Sequence, residues 1–426
     1  MSKCSKKRRK QEAKNDSQHV FPIKEFIRAQ LFGFVVGLGL DQLAEIFEEE
    51  RTSLCGERYR HLGGRSAVRA GHVPGSLAMG GRQLTISRPR VRSADGKQEI
   101  PLQSWEQFRT ADPMSERTME QMILGVSTRN YNRSLEALPA DMKTRGTSKS
   151  AVSRRFIQGT QKKLDELMGR DLSERNFLGI MIDGIHFADH VVMVALGIAD
   201  SGEKVILGLN EGATENSRSC KALLQNIIER GVRADRGTLF ILDGAKALHK
   251  AVNDIWGDLA IIQRCRVHKM RNVTEHLPKH LHATVGQSIR QAYRVRDPKK
   301  SKALLLNLAS KLEDEHPGAA GSLREGLEDT LAVNALGLPP ELEKSLVVTN
   351  AIENIFSSVR KISRRVKRWT GGKMVLRWSA AGLLEAEKKF RRIRGYKHLR
   401  KLDEALKEHE RKLGCGGRID AVQQVG

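Results

Sequence analysis

The spacing of apolar and polar residues changes near residue 176, and this change divides the chain into two parts. Downstream of it, short apolar runs separated by turns are typical of buried strands. The predicted strands span 177–183, 190–199, 204–209, 238–243 and 259–262, with helices at 217–230 and 245–256. Three strands in succession, followed by alternating helix and strand, predict a mixed five-stranded sheet, an order that matches an α/β ribonuclease-H-like fold.

Upstream of residue 176 the pattern is mainly helical. Residues 1–20 are polar and basic, which predicts a disordered tail. Residues 21–110 combine a helix at 22–50 with a small β-hairpin in the Gly- and Arg-rich part of the segment, where 82–92 alternates like a strand with its basic residues facing one way. This segment and the next are predicted to form a mainly helical N-terminal region, for which the helix pattern and the charge given below indicate DNA binding.

Residues 111–172 show three helical segments, at 114–124, 129–138 and 150–168. Their spacing predicts a region that resembles a helix-turn-helix. Small, hydroxyl and basic side chains at the start of a recognition helix can reach bases and phosphates. An ordinary three-helix bundle with a solvated basic face is the alternative interpretation. The predicted DNA contacts are Ser150, Ser153, Arg154 and Arg155.

The catalytic core is predicted in two pieces, 173–268 and 346–380, and the second piece contains a helix at 349–368. Between them, 269–345 is rich in Lys, Leu, Glu and Ala and is broken by prolines, which predicts an all-helical insertion. Residues 381–426 form a charged helical tail.

Charge points to a polyanionic partner. Among 426 residues, 74 are Lys or Arg and 50 are Asp or Glu, giving a formal charge of +24. Clustered basic residues neutralise phosphates and release counterions, so we expect double-stranded DNA as the partner. A merely basic soluble protein is the alternative.

Cysteine usage and the absence of a long apolar segment bear on location. The five cysteines are odd in number and widely spaced, which favours a reducing cytoplasm, near the nucleoid, over a disulfide framework. The apolar stretch at 29–40 is too short to span a bilayer. We therefore expect no membrane association.

Three acidic residues carry the candidate chemistry. Asp183 and Asp243 each end a predicted strand and are followed by glycine. The carboxyl ends of strands are where open α/β sheets place their active sites. Asp-Gly is also a common turn, so one such residue alone would mean little.

Glu353 lies near the start of the predicted helix at 349–368. At helical spacing it falls outside the apolar stripe and among the basic residues. It is therefore either a metal ligand at the edge of a DNA groove or an acid that partly neutralises the neighbouring basic side chains. The two strand-end aspartates favour the ligand. The basic residues on that face are Arg360, Arg364, Lys367 and Arg368.

Three carboxylates suit two-metal phosphodiester chemistry. Mg²⁺ prefers hard oxygen ligands and is held by few carboxylates, and two such ions activate a nucleophile and stabilise the leaving oxygen. The predicted ligands are Asp183, Asp243 and Glu353, with Mn²⁺ as a substitute ion. We expect strands one and four to be neighbours, which brings the aspartates together, and the insertion explains the long gap to Glu353.

Three further residues are auxiliary candidates. Cys265 and His268 form half of a zinc motif, but no second pair has suitable spacing, so a buried Cys265 and an orienting or phosphate-binding His268 are favoured. His186 is close to Asp183 and is a candidate to face the active site.

Four segments together resemble the Mutator-type (mutator-like element superfamily) bacterial insertion-sequence transposases. They are Ile182-Asp-Gly-Ile-His186, Ile241-Leu-Asp-Gly-Ala-Lys246, Gln263-Arg-Cys-Arg-Val-His268 and Thr349-Asn-Ala-Ile-Glu353. The resemblance implies a ribonuclease-H-like core with a DDE triad, here Asp183, Asp243 and Glu353, and a helical insertion before the glutamate. Cys265 and His268 match the Cys-x-x-His signature of that family.

The expected function is therefore DNA transposition. The protein is expected to bind the terminal inverted repeats of its element and, with Mg²⁺, to cut the ends and join them to target DNA. Because two ends must be held together, we expect a homodimer or larger assembly on DNA. The alternatives are a structure-specific nuclease of the same fold and an inactive, transposase-derived regulator that only binds DNA.

Overall fold

The computed structural model describes residues 4–60, 64–79, 81–110, 115–139, 142, 144–212 and 216–414. The chain divides into two compact units, Met1–Gly159 and Thr160–Gly426, and the division falls within one helix. Each unit has its own sheet.

Among its described residues, unit 1 contains a four-stranded sheet, three α-helices and the first part of a fourth. Its strands pair in the order β1-β2-β3, and β4 pairs with β2. The predicted helix at 22–50 and the β-hairpin are confirmed, and residues 4–20, predicted to be disordered, belong to the first helix. The elements are α1 (Cys4–Cys55), β1 (Ala67–Met79), β2 (Arg82–Ser93), β3 (Glu99–Ile100), α2 (Gln103–Thr110), α3 (Ser115–Ile123), β4 (Thr144–Gly146) and α4 (Lys149–Met168).

The core of unit 1 lies between α1 and the hairpin. Phe47 of α1 is fully buried and meets Trp105 of α2 edge to face, with ring centroids 5.7 Å apart. Within α1, the segment Phe26–Cys55 is long and apolar enough to cross a membrane by length and composition, a test that core helices also pass. The stretch at 29–40 is therefore part of a longer apolar helix than the sequence indicated.

The predicted helix at 129–138 is wrong. Only a 3₁₀ turn forms there, Tyr131–Ser134, and the chain then returns as β4 to pair with β2. Burial of Tyr131 and the hydrogen bond from Asn132 to the carbonyl of Thr147 hold the segment against the hairpin. Helix α3 is thus separated from α4 by more than the short turn of a helix-turn-helix. Helices α3 and α4 themselves agree with the predictions.

Unit 2 is built on the predicted mixed five-stranded sheet. Its order is β7-β6-β5-β8-β9, with β5, β8 and β9 parallel and β5, β6 and β7 a meander. The strands are β5 (Phe177–Phe187), β6 (His190–Ala199), β7 (Lys204–Glu211), β8 (Thr238–Leu242) and β9 (Ala260–Arg264), with helices α5 (Ser217–Glu229) and α6 (Lys246–Trp256) between them.

Helices cover both faces of this sheet. Alternating residues of β5 divide between two apolar clusters, so Ile180 and Ile182 pack with the cluster containing α5 and α6, while Met181 and Ile185 pack with the other. The second cluster draws on α13 (Asn350–Ser363), α14 (Gly372–Glu387) and α15 (Leu399–Lys412). A strand buried on both faces explains the continuous apolar run that predicted it.

The insertion between β9 and α13 is all-helical, as predicted. Gln263 of β9 is fully buried and joins it to the sheet, because its amide donates to the carbonyl of Thr330 and accepts from the Val333 N–H. The helices are α7 (Arg266–Glu275), α8 (His282–Arg294), α9 (Pro298–Leu312), α10 (Pro317–Arg324), α11 (Ala332–Ala335) and α12 (Pro340–Leu346).

Helix α13 ends earlier than predicted. It stops at Ser363, whose hydroxyl donates to the carbonyl of Val359, and the chain then turns so that Trp369 packs on Phe187 at 4.9 Å between ring centroids. Of the four basic residues expected on this helix, only Arg360 lies within it. The prediction that Arg364, Lys367 and Arg368 continue its helical face is therefore wrong.

Candidate active site

Asp183 and Asp243 lie side by side at one end of the sheet. Strands β5 and β8 are parallel neighbours in which Ile182 pairs with Leu242, and each aspartate is the next residue along its strand. Asp243 directly follows β8, which ends at Leu242, one residue before the predicted end of this strand. Asp183, however, does not end β5: the strand continues to Phe187, because residues 184–187 go on pairing with β6.

Glu353 is in the first turn of α13. The buried side of this helix carries Ile352, Ile355, Phe356 and Val359, as its apolar stripe predicted. The carboxylate of Glu353 is partly exposed on the other side and approaches the sheet end. A helix packed on the sheet therefore presents a third acid near the two strand acids.

One cavity of about 640 Å³ contains all three acids. Asp183, His268 and Glu353 each bring one carboxylate oxygen or ring nitrogen to within 4.8 Å of the others, and Asp243 lines the same cavity outside this group. Its other lining residues are Gly184, His186, Val191, Gly244, Ala245, Arg271, Asn272, Phe356, Ser357 and Arg360. The sequence-predicted His186, His268 and Arg360 are thus brought to the three acids.

Burial dominates the electrostatics of Asp183. The side chain is only 7% exposed, and desolvation raises its pKa to about 6. The charge of His268 and a 2.8 Å hydrogen bond from the Gly184 N–H work in the other direction, while Asp243 and Glu353 add to the rise. An acid so crowded by other acids favours a nearby cation.

His268 supplies positive charge between two of the acids. Its Nε2 lies 3.4 Å from Oε1 of Glu353. The interaction with the Cys265 sulphur raises the pKa of His268 to about 9 against the opposing effect of burial, and the charges of Asp183 and Glu353 raise it further. The imidazole is therefore protonated at neutral pH and offsets the carboxylates.

Cys265 is fully buried immediately after β9 and contacts the start of α13. Its sulphur accepts hydrogen bonds from both the N–H and the hydroxyl of Thr349, each at 3.4 Å. Burial opposes ionisation of the thiol, but the interactions with His268 and Thr349 lower its pKa below the ordinary value. Cys265 and His268 join no larger group of Cys and His ligands in the described part of the chain, and their contacts fit the orienting role.

The glycine after Asp243 is required by its backbone. Gly244 has φ of +104°, and a Cβ there would lie 2.1 Å from Nε of Arg264. Arg264 itself is 7% exposed and donates to the carbonyl of Glu325 in the insertion. The Asp-Gly turn thus brings the backbone against an arginine that joins β9 to the insertion.

Arg271 and Asn272, which the sequence pattern did not predict as site residues, also line the cavity. They follow His268 by three and four residues on α7, so they share its helical face. That spacing was the available signal. By contrast, Ser150, Ser153, Arg154 and Arg155 lie in the unit 1 part of α4, where Ser150 and Arg154 are exposed; their contact with DNA stays a prediction.

Three carboxylates beside arginines at the end of a mixed sheet form a site suited to phosphodiester chemistry. The chain belongs to the Mutator family of transposases, because the model described as "Transposase, Mutator family" matches residues 12–392.

Several curated relatives are transposases of insertion sequences. The chain is 24% identical over 352 residues to the transposase for insertion sequence element ISRM5 of Rhizobium meliloti (strain 1021), covering 82% of this chain and 85% of that protein. It is 24% identical over 335 residues to the transposase for IS256 in transposon Tn4001 of Staphylococcus aureus, covering 76% and 82%. The transposase for IS406 of Burkholderia multivorans (strain ATCC 17616 / 249) is 25% identical over 356 residues, covering 79% and 86%.

Proposed function

We propose that the protein is a Mg²⁺-dependent DDE transposase with a ribonuclease-H-like core, which cuts the terminal inverted repeats of its insertion sequence and joins them to target DNA. The observation that carries this proposal is the parallel pairing of β5 with β8. It puts Asp183 and Asp243 side by side in a cavity that also holds Glu353.

The residues present fit divalent metal ions. Three carboxylates provide hard oxygen ligands, and the raised pKa of Asp183 reflects a site that a cation would relieve. Asp183, Asp243 and Glu353 would hold Mg²⁺, or Mn²⁺ in its place, and the bound ions would activate the attacking oxygen and stabilise the leaving one. The protonated His268 is a poor ligand and is a neighbour of the site.

The remaining residues of the site bind DNA phosphates or orient the carboxylate of Glu353. Arg271 and Arg360 are exposed at the cavity and pair with no carboxylate among the described residues, so they are available to DNA phosphates. His268 holds the Glu353 carboxylate at 3.4 Å. Cys265 anchors Thr349 and through it the first turn of α13. These groups set the position of Glu353 relative to the strand acids.

DNA binding beyond the cavity would use the basic N-terminal region, including Ser150, Ser153, Arg154 and Arg155. The charge of +24 favours contact with a long stretch of phosphates. Bringing two element ends together calls for a dimer or larger assembly on DNA.

A cleavage and joining assay tests the proposal. Labelled duplexes that carry the ends of the element are incubated with the full-length protein, Mg²⁺ and a target plasmid, beside duplexes of random sequence. A transposase nicks the element ends and transfers them to the plasmid. Cutting of random DNA without joining would indicate the nuclease, and end binding with no nicking would indicate the inactive regulator.

A further inference from the structure

A second cavity, of about 350 Å³, lies in the helical insertion on the other side of α7. Its interior is largely apolar, with Val267, Met270, Tyr293, Pro340 and Val347 in its lining. Arg266, Glu343 and three further arginines and a lysine complete it. This size is at the lower end of the range of small-molecule sites.

Two of the charged residues are already engaged with each other. Arg266 is buried, donates from Nε to the carbonyl of Thr330, and has its Nη1 3.6 Å from the carboxylate of Glu343. Its guanidinium also lies over the Tyr293 ring, 4.6 Å from the centroid. These contacts fix the aromatic ring in the wall of the cavity.

The other cations form no ion pair among the described residues, although Nη1 of Arg290 donates to Sδ of Met270 at 3.4 Å. Arg290, Arg294, Arg296 and Lys344 are exposed at the cavity, and none forms an ion pair with a carboxylate in the described ranges. Arg400 and Lys407 of α15 differ, since each pairs with an acid of its own helix. With Arg266 balanced by Glu343, the cavity keeps four uncompensated positive charges around an apolar interior.

Helix α7 separates this cavity from the candidate active site. His268, Arg271 and Asn272 face the acids, whereas Arg266, Val267 and Met270 face the second cavity. An α-helix with its side chains is roughly 10–12 Å across, which equals about three nucleotide rises along one DNA strand. A strand held at the acids can therefore reach the second cavity within a few nucleotides.

We propose that this cavity binds an unpaired nucleotide of the DNA, with the base in the apolar interior beside Tyr293 and the flanking phosphates on Arg290, Arg294, Arg296 and Lys344. Bases taken out of a duplex are stacked on aromatic or guanidinium groups, while cations track the backbone. The inference rests on the proposed function, because it takes DNA as the substrate.

Photocross-linking tests the inference. Full-length protein is mixed with a forked duplex that carries 5-iodo-2′-deoxyuridine in its unpaired arm, irradiated, digested, and analysed by mass spectrometry. We expect a cross-linked peptide containing Tyr293, and we expect the doubly substituted protein R290Q/R294Q to lose at least about tenfold of this product. The matched control R391Q/R392Q also removes two charges, at the end of the unit 2 sheet away from the candidate active site. This control should retain the cross-linked product.

Several results would overturn the inference. They are cross-links that map away from the cavity, cross-links that survive R290Q/R294Q, and an equal loss in R391Q/R392Q, which would mean that only bulk charge matters. If the cavity instead binds an acidic protein segment, a peptide rich in Glu and Leu should bind the wild-type protein and should bind R290Q/R294Q less well. Adding this peptide would then leave the DNA cross-link unchanged. Nicking of element ends is measured on the same protein. Nicking without the cross-link would contradict only the nucleotide site, whereas loss of nicking in the wild-type protein would contradict the transposase proposal.

Discussion

The sulphur of Cys265 accepts two hydrogen bonds from Thr349, one from its N–H and one from its hydroxyl, each at 3.4 Å. Thr349 immediately precedes α13, the helix that carries Glu353. The end of strand β9 is thus joined directly to the helix that brings the third acid to the site.

Replacing Cys265 with alanine should weaken metal binding as well as folding, by similar free energies. The loss leaves the buried Thr349 N–H without its acceptor, which costs about 1–3 kcal/mol of stability. Groups that orient metal ligands change metal affinity by roughly 10–100-fold. We therefore expect cleavage by C265A to need more Mg²⁺ for half-maximal rate, while DNA affinity without metal is unchanged.

The serine variant is the matched control for that experiment. C265S keeps an acceptor next to Thr349 and should recover part of the Mg²⁺ response. An unaltered Mg²⁺ requirement in C265A would show that the contact has no role in placing Glu353.

His268 should make the stability of the metal-free protein depend on pH. Its folded pKa, about 9, is above the ordinary 6.5, so its stabilisation is complete below about pH 6.5 and is lost as pH rises through about 9. We expect the free energy of unfolding of the wild-type protein to exceed that of H268Q by about 1–3 kcal/mol at pH 6.5. This difference should close by pH 9.5. Urea unfolding at the two pH values measures it, and a gap that stays constant would contradict the pKa assignment.

Gly244→Ala should disturb the turn after Asp243. The substitution forces a side chain into a backbone with φ of +104° and against Arg264, a strain of about 1–3 kcal/mol or more. Thermal unfolding should occur at lower temperature, and cleavage should fall although all three acids remain. Gly257→Ala is the control, because φ there is +56° and nothing lies within 4 Å of the added Cβ. Equal losses in the two variants would argue against a specific clash with Arg264.

Arg271 and Arg360 should each contribute one phosphate contact. The double variant R271Q/R360Q loses both contacts. The slope of the logarithm of the DNA association constant against the logarithm of the salt concentration should therefore be about two units shallower. Fluorescence anisotropy of a labelled duplex across a salt series measures this slope. Arg400→Gln, which removes an arginine paired with Glu404, should leave the slope as it is.

The sequence predicted the unit 2 sheet well because its strands are buried on both faces, so their apolar runs are continuous and end at recognisable turns. The end of β5 was misplaced because pairing with β6 continues past Asp183. Burial of Ile182 and Ile185 on opposite faces shows that the strand pattern itself runs through the aspartate.

Tertiary contacts account for the elements that local pattern did not predict. The segment at 129–138 is held by burial of Tyr131 and by pairing of β4 with β2, neither of which local spacing reveals. Helix α13 stops at Ser363, and beyond it Trp369 packs on Phe187. Within the candidate site, residue type and position in the sequence indicated the three acids. Arg271 and Asn272 depend on the tertiary placement of α7 along the cavity, which the sequence does not reveal.

The most direct test of the account is strand transfer by single amide variants of the three acids. D183N, D243N and E353Q remove one charge each with little change of shape, and Asp254→Asn, at an acid paired with Lys221 away from the cavity, is the control. We predict that all three bind element ends as wild type does but lose Mg²⁺-dependent cleavage and joining by several orders of magnitude, while D254N stays active. Strand transfer by D243N at the wild-type rate would contradict the assignment of one shared site to Asp183, Asp243 and Glu353.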